Sequence, residues 1–363
     1  MKTKFSKNLK NVLAAGSIVV LTMSSCKNND NSVDIKPTGP TPTWGPSIKP
    51  EMQAIMEKLV SLGGKPIETL EPAEARKQPT PTDAVKATMT DYNIPVPTAQ
   101  CDTAGRDIPI TGGTVHARIY TPKTGAASYP VIMYYHGGGF VIADINVYNS
   151  SAQGLCEQVG AIVVAVEYPK APENKFPAAH NASFDAYQWV LKNASSIKGD
   201  SSKIAVAGES AGGNLALNMS IMARDKGIKM PLYQVLVYPV ADNNMNSESY
   251  LKYADAKPLN KAMMAWFVKY ALASPEQASD PRIALVNANL SGLPKTLIIA
   301  AEIDPLQTEG KLLSDRLKTA KVDTEYEIYN GVTHEFYGMA TVVPQAKEAQ
   351  ALAAKKLKAA FGL

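Results

Sequence analysis

Apolar and polar positions alternate along this chain on two rhythms. Five stretches are nearly continuous apolar runs rich in β-branched residues: Val131–Tyr135 (VIMYY), Ile162–Val166 (IVVAV), Ile204–Ala207 (IAVA), Gln234–Tyr238 (QVLVY) and Thr296–Ala300 (TLIIA). Runs of that length without alternation suit strands covered on both faces. Glu325–Tyr329 (EYEIY) is a sixth candidate, and TVHARIY, containing His116, reads as an earlier strand. Helical patterns lie between the runs, over Tyr148–Val159, Ala178–Ala194, Ala211–Lys226, Thr308–Lys321 and Pro344–Phe361. Strand and helix in alternation predict an α/β fold with a mostly parallel central sheet flanked by helices.

Two segments depart from that rhythm. Residues 51–62 (EMQAIMEKLVSL) place Met52, Ile55, Met56, Leu59 and Val60 on one helical face. Residues 248–272, with Met263, Met264, Trp266 and Phe267, predict a helical insertion between two late strands. Together they are candidates for a helical cap: an N-terminal segment over 51–112 and an insertion over about 243–280, on a main domain spanning 113–363.

The N-terminus changes the reading of charge. Lys2, Lys4, Lys7 and Lys10 precede an apolar run from Val12 to Met23, too short for a bilayer, which needs about 20 residues. A basic start, a short apolar run and small residues predict an export signal over 1–25. Ser24-Ser25-Cys26 resembles a lipoprotein processing box, with Cys26 as the lipidated residue; ordinary signal cleavage is the alternative. The expectation is an exported protein of a bacterial envelope, held to the membrane through Cys26. The chain has 37 basic and 33 acidic residues, and removing those four lysines leaves 33 against 33. The basic balance is therefore largely a property of the signal and makes no case for nucleic acid. Residues 26–50, rich in Pro, Thr and Gly, read as a flexible tether. Two further cysteines remain. An exported location permits a disulfide, but Cys156 on an apolar helix reads better as a buried thiol. No cysteine–histidine cluster suggests a metal.

The chemistry begins at VAGESAGGN, residues 206–214, where G-x-S-x-G centres on Ser210. The pattern is weak alone, but IAVA leads in as a strand and a helix leads out, the setting of a nucleophile elbow. A serine hydroxyl needs a base, a group to orient that base, and donors for an oxyanion. YHGGGF (135–140) follows a strand at once, and its glycines (Gly137, Gly138, Gly139) let backbone amides approach a substrate. Of the four histidines, His116 sits in a strand, and His136 reads as holding the glycine loop by hydrogen bonding. His180 reads as a solvent or capping residue. His334 follows the last strand in YNGVTHEF, beyond the carboxyl end where open α/β sheets place function. It is the candidate base. Asp304, just after LIIAAEI, is the candidate orienting acid, with Glu302 as runner-up and Glu309 capping or lining the next helix.

These motifs resemble the hormone-sensitive-lipase-like branch of the α/β-hydrolases, the bacterial family IV esterases. The resemblance runs from about residue 51 to the C-terminus. It rests on YHGGGF (135–140), EYPKAPENKFPAA (167–179), GESAGG (208–213), DPLQTEG (304–310) and GVTHEF (331–336), with LGGKPIETLEPAEAR (62–76) similar to the family's cap segment. It implies Ser210 as nucleophile, His334 as base, Asp304 as its partner, and the amides of Gly138, Gly139 and Ala211 as the oxyanion hole. It also implies a serine carboxylesterase acting on short-chain esters without a cofactor. A carbohydrate acetyl esterase, a lactone or amide hydrolase on the same triad, or a non-catalytic binder are the alternatives. Glu209 stands where Asp or Thr is frequent, Glu335 where Gly is frequent, and Gln307-Thr308 where Arg-Asp is frequent. The two glutamates add carboxylates near the triad.

Overall fold

The computed structural model describes residues 33–363; the predicted signal segment and Cys26 lie outside the described residues. Eight strands form one sheet: β1 (Cys101–Ile110), β2 (Gly113–Pro122), β3 (Tyr129–Tyr135), β4 (Ile162–Glu167), β5 (Gly199–Glu209), β6 (Tyr233–Val237), β7 (Lys295–Ile303) and β8 (Thr324–Thr333). Their order is β1-β2-β4-β3-β5-β6-β7-β8. Strands β3 to β8 pair in parallel, and β1 and β2 join antiparallel at one edge. The apolar runs lie at its centre because each residue of β3 and β6 is buried. Met133, Val164 and Val206 face one core layer, while Ile132, Val163 and Ala205 face the other. The flanking helices Asn149–Val159, Ala178–Asn193, Ala211–Asp225, Gln307–Thr319 and Pro344–Phe361 fall close to the predicted spans.

Four expectations change. Residues 101–110, expected in the cap segment, form β1 and extend the sheet. The 248–272 insertion is two short helices, Glu248–Lys252 and Lys261–Ala271. Asn260 starts the second by accepting a hydrogen bond from the Met263 amide at 2.7 Å, and Pro258 cannot continue the first. The tether is shorter than predicted, because from Ile35 onward the chain packs on the body. Ile35 and Ile48 are buried, Lys49 N–H donates to Gly331 O at 2.8 Å, and Ser47 Oγ donates to Glu302 at 2.7 Å. Lastly, His180 is buried rather than solvated. Cys101 and Cys156 are both buried free thiols.

Helix Pro50–Ser61 buries Met52, Ile55 and Met56, so its apolar stripe packs inward as its spacing predicts. The segment that follows meets the late insertion. Trp266 Nε1 donates to Leu70 O at 2.8 Å, Tyr270 Oη to Glu71 at 3.0 Å, and Asn260 Nδ2 to Glu68 at 3.1 Å. Arg76 ties this roof to the body. Its Nε donates to Val141 O at 2.8 Å, one amino group to Ala171 O at 2.7 Å, and both amino groups to the Glu173 carboxylate. That ion pair holds the Glu173 carboxyl down at about 2.

Candidate active site

Ser210 sits between β5 and helix Ala211–Asp225 with φ 56° and ψ −118°. A non-glycine residue in that region is strained, and surrounding bonds must hold it there. Ser210 N–H donates to Val237 O at 2.9 Å, and Ser210 O accepts from Val240 N–H at 3.1 Å. The turn closes so tightly that a Cβ at Gly212 would lie 2.0 Å from Tyr135 O, and one at Gly208 would lie 2.1 Å from Gly212 O. Glycine at both positions is a packing requirement.

Three side chains meet at this turn. His334 Nε2 lies 3.0 Å from Ser210 Oγ, and His334 Nδ1 lies 2.7 Å from Asp304 Oδ2. Asp304 is fully buried after β7, and its other oxygen accepts the Leu306 amide at 2.9 Å. The carboxylate accepts a hydrogen bond from Nδ1–H, so Nε2 faces the hydroxyl as an acceptor. Burial pushes His334 toward the neutral form. The charge and hydrogen bond of Asp304, with Glu335 and Glu209 beyond, outweigh it and raise the imidazole above its ordinary 6.5. Glu302, the runner-up acid, is committed elsewhere, accepting from Ser47 Oγ and from Gly331 N–H at 2.7 Å each. Glu309 does not cap its own helix; it is buried and accepts the Ala241 amide at 2.7 Å.

The glycine loop lies opposite. Gly138 has φ 98°, and a Cβ there would meet Ile142 O at 2.2 Å, so only glycine fits. Among the described residues, the amides of Gly138, Gly139 and Ala211 donate to no protein acceptor. Ala211 opens a helix, where first-turn amides lack intrahelical partners. His136 holds the loop. Nδ1 donates to Gly137 O at 2.7 Å, and the ring stacks on Tyr168 at 4.2 Å, whose hydroxyl donates to His136 O at 2.8 Å. Burial lowers the His136 pKa, which suits a neutral structural imidazole. His180 is 1% exposed. Its Nε2 bonds Asn214 Oδ1 at 3.0 Å between the rings of Phe140 and Phe176, and burial drops it to about 4.

Behind the triad is an acid and tyrosine network that the sequence did not reveal. Glu209 is buried and accepts from the hydroxyls of Tyr134 and Tyr238, one on each carboxylate oxygen. Tyr238 also packs its ring 4.4 Å from that of His334. Burial, then the charge of Glu335, raises the Glu209 carboxyl to about 7. Glu335 sits at φ 71° and accepts from Tyr148 Oη at 2.6 Å. No local pattern marks these tyrosines among the 16 of the chain; only the odd choice of glutamate at 209 and 335 pointed here. Ser210, His334, Glu335, Gly138 and Gly139 open on one cavity of about 480 Å³, roofed by residues such as Ile67, Met263 and Phe267. That volume suits a small organic ligand.

A hydroxyl, a base with a buried carboxylate behind it, and free amides across a roofed cavity can perform acyl transfer. Comparison with known proteins agrees. A family model described as the α/β hydrolase fold matches residues 132–338. Carboxylesterase NlhH of Mycobacterium tuberculosis is 36% identical over 259 residues, 70% of this chain and 79% of its own. The ethyl acetate hydrolase of Pseudomonas putida is 30% identical over 321 residues, 86% of this chain and 99% of its own. The crystal structure of a thermostable esterase from Pseudomonas putida superposes with a TM-score of 0.80 at 30% identity, covering 88% of this chain and 99% of that one. The chain belongs to the α/β-hydrolase fold family, in its hormone-sensitive-lipase-like esterase branch.

Proposed function

We propose that this protein is a serine carboxylesterase that hydrolyses short-chain acyl esters through an acyl-enzyme. The observation that carries the reading is the continuous line from Ser210 Oγ through His334 to Asp304, at 3.0 and 2.7 Å, with Ser210 and His334 lining the cavity and Asp304 buried behind them. In the proposed cycle, Ser210 Oγ attacks the ester carbonyl as His334 Nε2 takes its proton. The carbonyl π pair becomes an oxyanion held by the amides of Gly138, Gly139 and Ala211. Collapse breaks the bond to the leaving alcohol, which takes the proton from Nε2. Water then repeats the sequence on the acyl-serine and releases the acid. Asp304 fixes the tautomer and stabilises the imidazolium between steps. His136, Gly137 and Glu209 support this apparatus without touching substrate. The named activity of the ethyl acetate hydrolase supports a small alcohol and a short acyl group.

A rate series on p-nitrophenyl acetate, butyrate, octanoate and acetylated xylan tests the substrate class, with turnover expected to fall as the acyl chain lengthens. A maximum on acetylated xylan would replace the reading with a carbohydrate acetyl esterase. Failure of a fluorophosphonate to label Ser210 would replace it with a binding protein on this fold.

The basic, apolar N-terminus and Ser24-Ser25-Cys26 support export and a lipid anchor at Cys26 in a bacterial envelope. Expressed with its own N-terminus, the protein is expected in the membrane fraction, and Cys26→Ser is expected to move it out. Equal partition of both would remove the anchor.

A further inference from the structure

Glu335 is an unusual neighbour for a catalytic histidine. It directly follows His334 and holds a left-handed backbone, φ 71°, that glycine occupies at no cost. Something must favour a glutamate there over the less strained residue. Its carboxylate opens on the cavity with 19% of its side chain exposed, and Oε1 lies 3.8 Å from His334 Nε2, the atom that faces Ser210. Tyr148 Oη fixes it by donating to Oε1 at 2.6 Å. Among the described residues, nothing donates to Oε2.

The spacing has a chemical consequence for deacylation. Once Ser210 is acylated, Nε2 has lost its hydroxyl partner and must find the proton of an incoming water. Two acceptors 3.8 Å apart can share one water whose oxygen lies about 2.8 Å from each. Such a water gives one O–H to Nε2 and the other to the carboxylate, which turns its lone pairs away from both acceptors. Phenols and alcohols have a single O–H and cannot satisfy both acceptors.

We propose that Glu335 is a positioning residue for the hydrolytic water, selecting water over alcohols as the acceptor of the acyl group. The water oxygen bonds the acyl carbon while its proton passes to Nε2. The carbonyl π pair becomes the oxyanion, and collapse breaks the bond to Ser210 Oγ, which recovers the proton from Nε2. Glu335 accepts a hydrogen bond throughout and takes no proton. This rests on the acyl-enzyme reading above.

The test is pre-steady-state hydrolysis of p-nitrophenyl acetate by the purified protein, Glu335→Gly and Glu335→Gln, with and without added methanol. Glycine relaxes the φ 71° backbone and removes the acceptor. Glutamine keeps an acceptor for Tyr148 and removes the charge. The acylation rate is expected within about threefold of the parent in both. Deacylation is expected to fall on the order of 10- to 100-fold in Glu335→Gly and less in Glu335→Gln. A p-nitrophenol burst and an acetyl adduct on the intact protein should then appear, and methyl acetate should rise relative to acetic acid. Acylation and deacylation falling together, neither changing, or an unchanged methanol partition would each overturn the proposal. A parent protein that neither turns over the ester nor forms an adduct would overturn the acyl-enzyme reading itself.

Discussion

At the scale of single residues, the site is governed by where three carboxylates sit relative to one imidazole. Asp304 touches Nδ1, Glu335 approaches Nε2, and Glu209 lies behind Tyr238. All three favour the imidazolium, so His334 titrates above 6.5. Because the proposed base must be neutral to accept a proton, the acid limb of kcat/KM is expected above pH 6.5. A pH profile on p-nitrophenyl acetate checks it; a limb below 6.5 in the parent would contradict the electrostatics. Glu209 also carries a stability signature. Its carboxyl stands at about 7 in the fold against 4.5 unfolded. Between those values the folded state binds more protons, so stability from this group is full below 4.5 and is lost as pH rises through 7. Thermal melts from about pH 5 to about pH 8 should show the Tm of Glu209→Gln gaining on the parent as pH rises. A constant difference would mean that Glu209 is not held protonated by burial. Ser210, Asp304 and His334 were legible in the sequence because each follows a recognisable strand and falls in a known chain order. Tyr134, Tyr148 and Tyr238 were not, since nothing local separates a tyrosine bonded to a buried glutamate from one in a core.

At the scale of elements, the turn after β5 and the roof over the cavity carry separate duties. The turn depends on backbone approach. A methyl at Gly212 would press on Tyr135 O at 2.0 Å, where no flexible side chain can give way. Gly212→Ala is expected to cost about 3 kcal/mol or more and to abolish activity, read by melting and turnover together. The roof depends on Arg76, whose bonds cross from the N-terminal segment to loops at Val141 and Ala171. Arg76→Met should loosen substrate binding more than chemistry, raising KM about tenfold with a smaller change in kcat. An unchanged KM would show that the roof is held by packing alone. The elements were legible in proportion to their burial. Central strands announce themselves as apolar runs. Strand β1, CDTAGRDIPI, is an exposed edge with charges, glycine and proline, so it resembles a loop until β2 is seen beside it. The strap over residues 35–50 has the composition of a tether, and its contacts, such as those with Glu302 and Gly331, distinguish docking from freedom.

At the scale of the whole molecule, from Ile35 to Leu363, the parallel sheet delivers Ser210, Asp304 and His334 from the carboxyl ends of β5, β7 and β8 to one point. Open α/β sheets gather function at that edge because consecutive loops emerge there together. Two core layers of buried side chains hold the sheet rigid, which keeps three groups from distant parts of the chain within hydrogen-bond reach. The cap segments roof the cavity without contributing to the triad. If Ser210 is the nucleophile of an ester hydrolase, purified Ser210→Ala, with its Tm checked against the parent, should show a fall in kcat on p-nitrophenyl acetate on the order of 10³–10⁶ at an unchanged Tm. A folded variant that keeps most of its activity would remove Ser210 from that role.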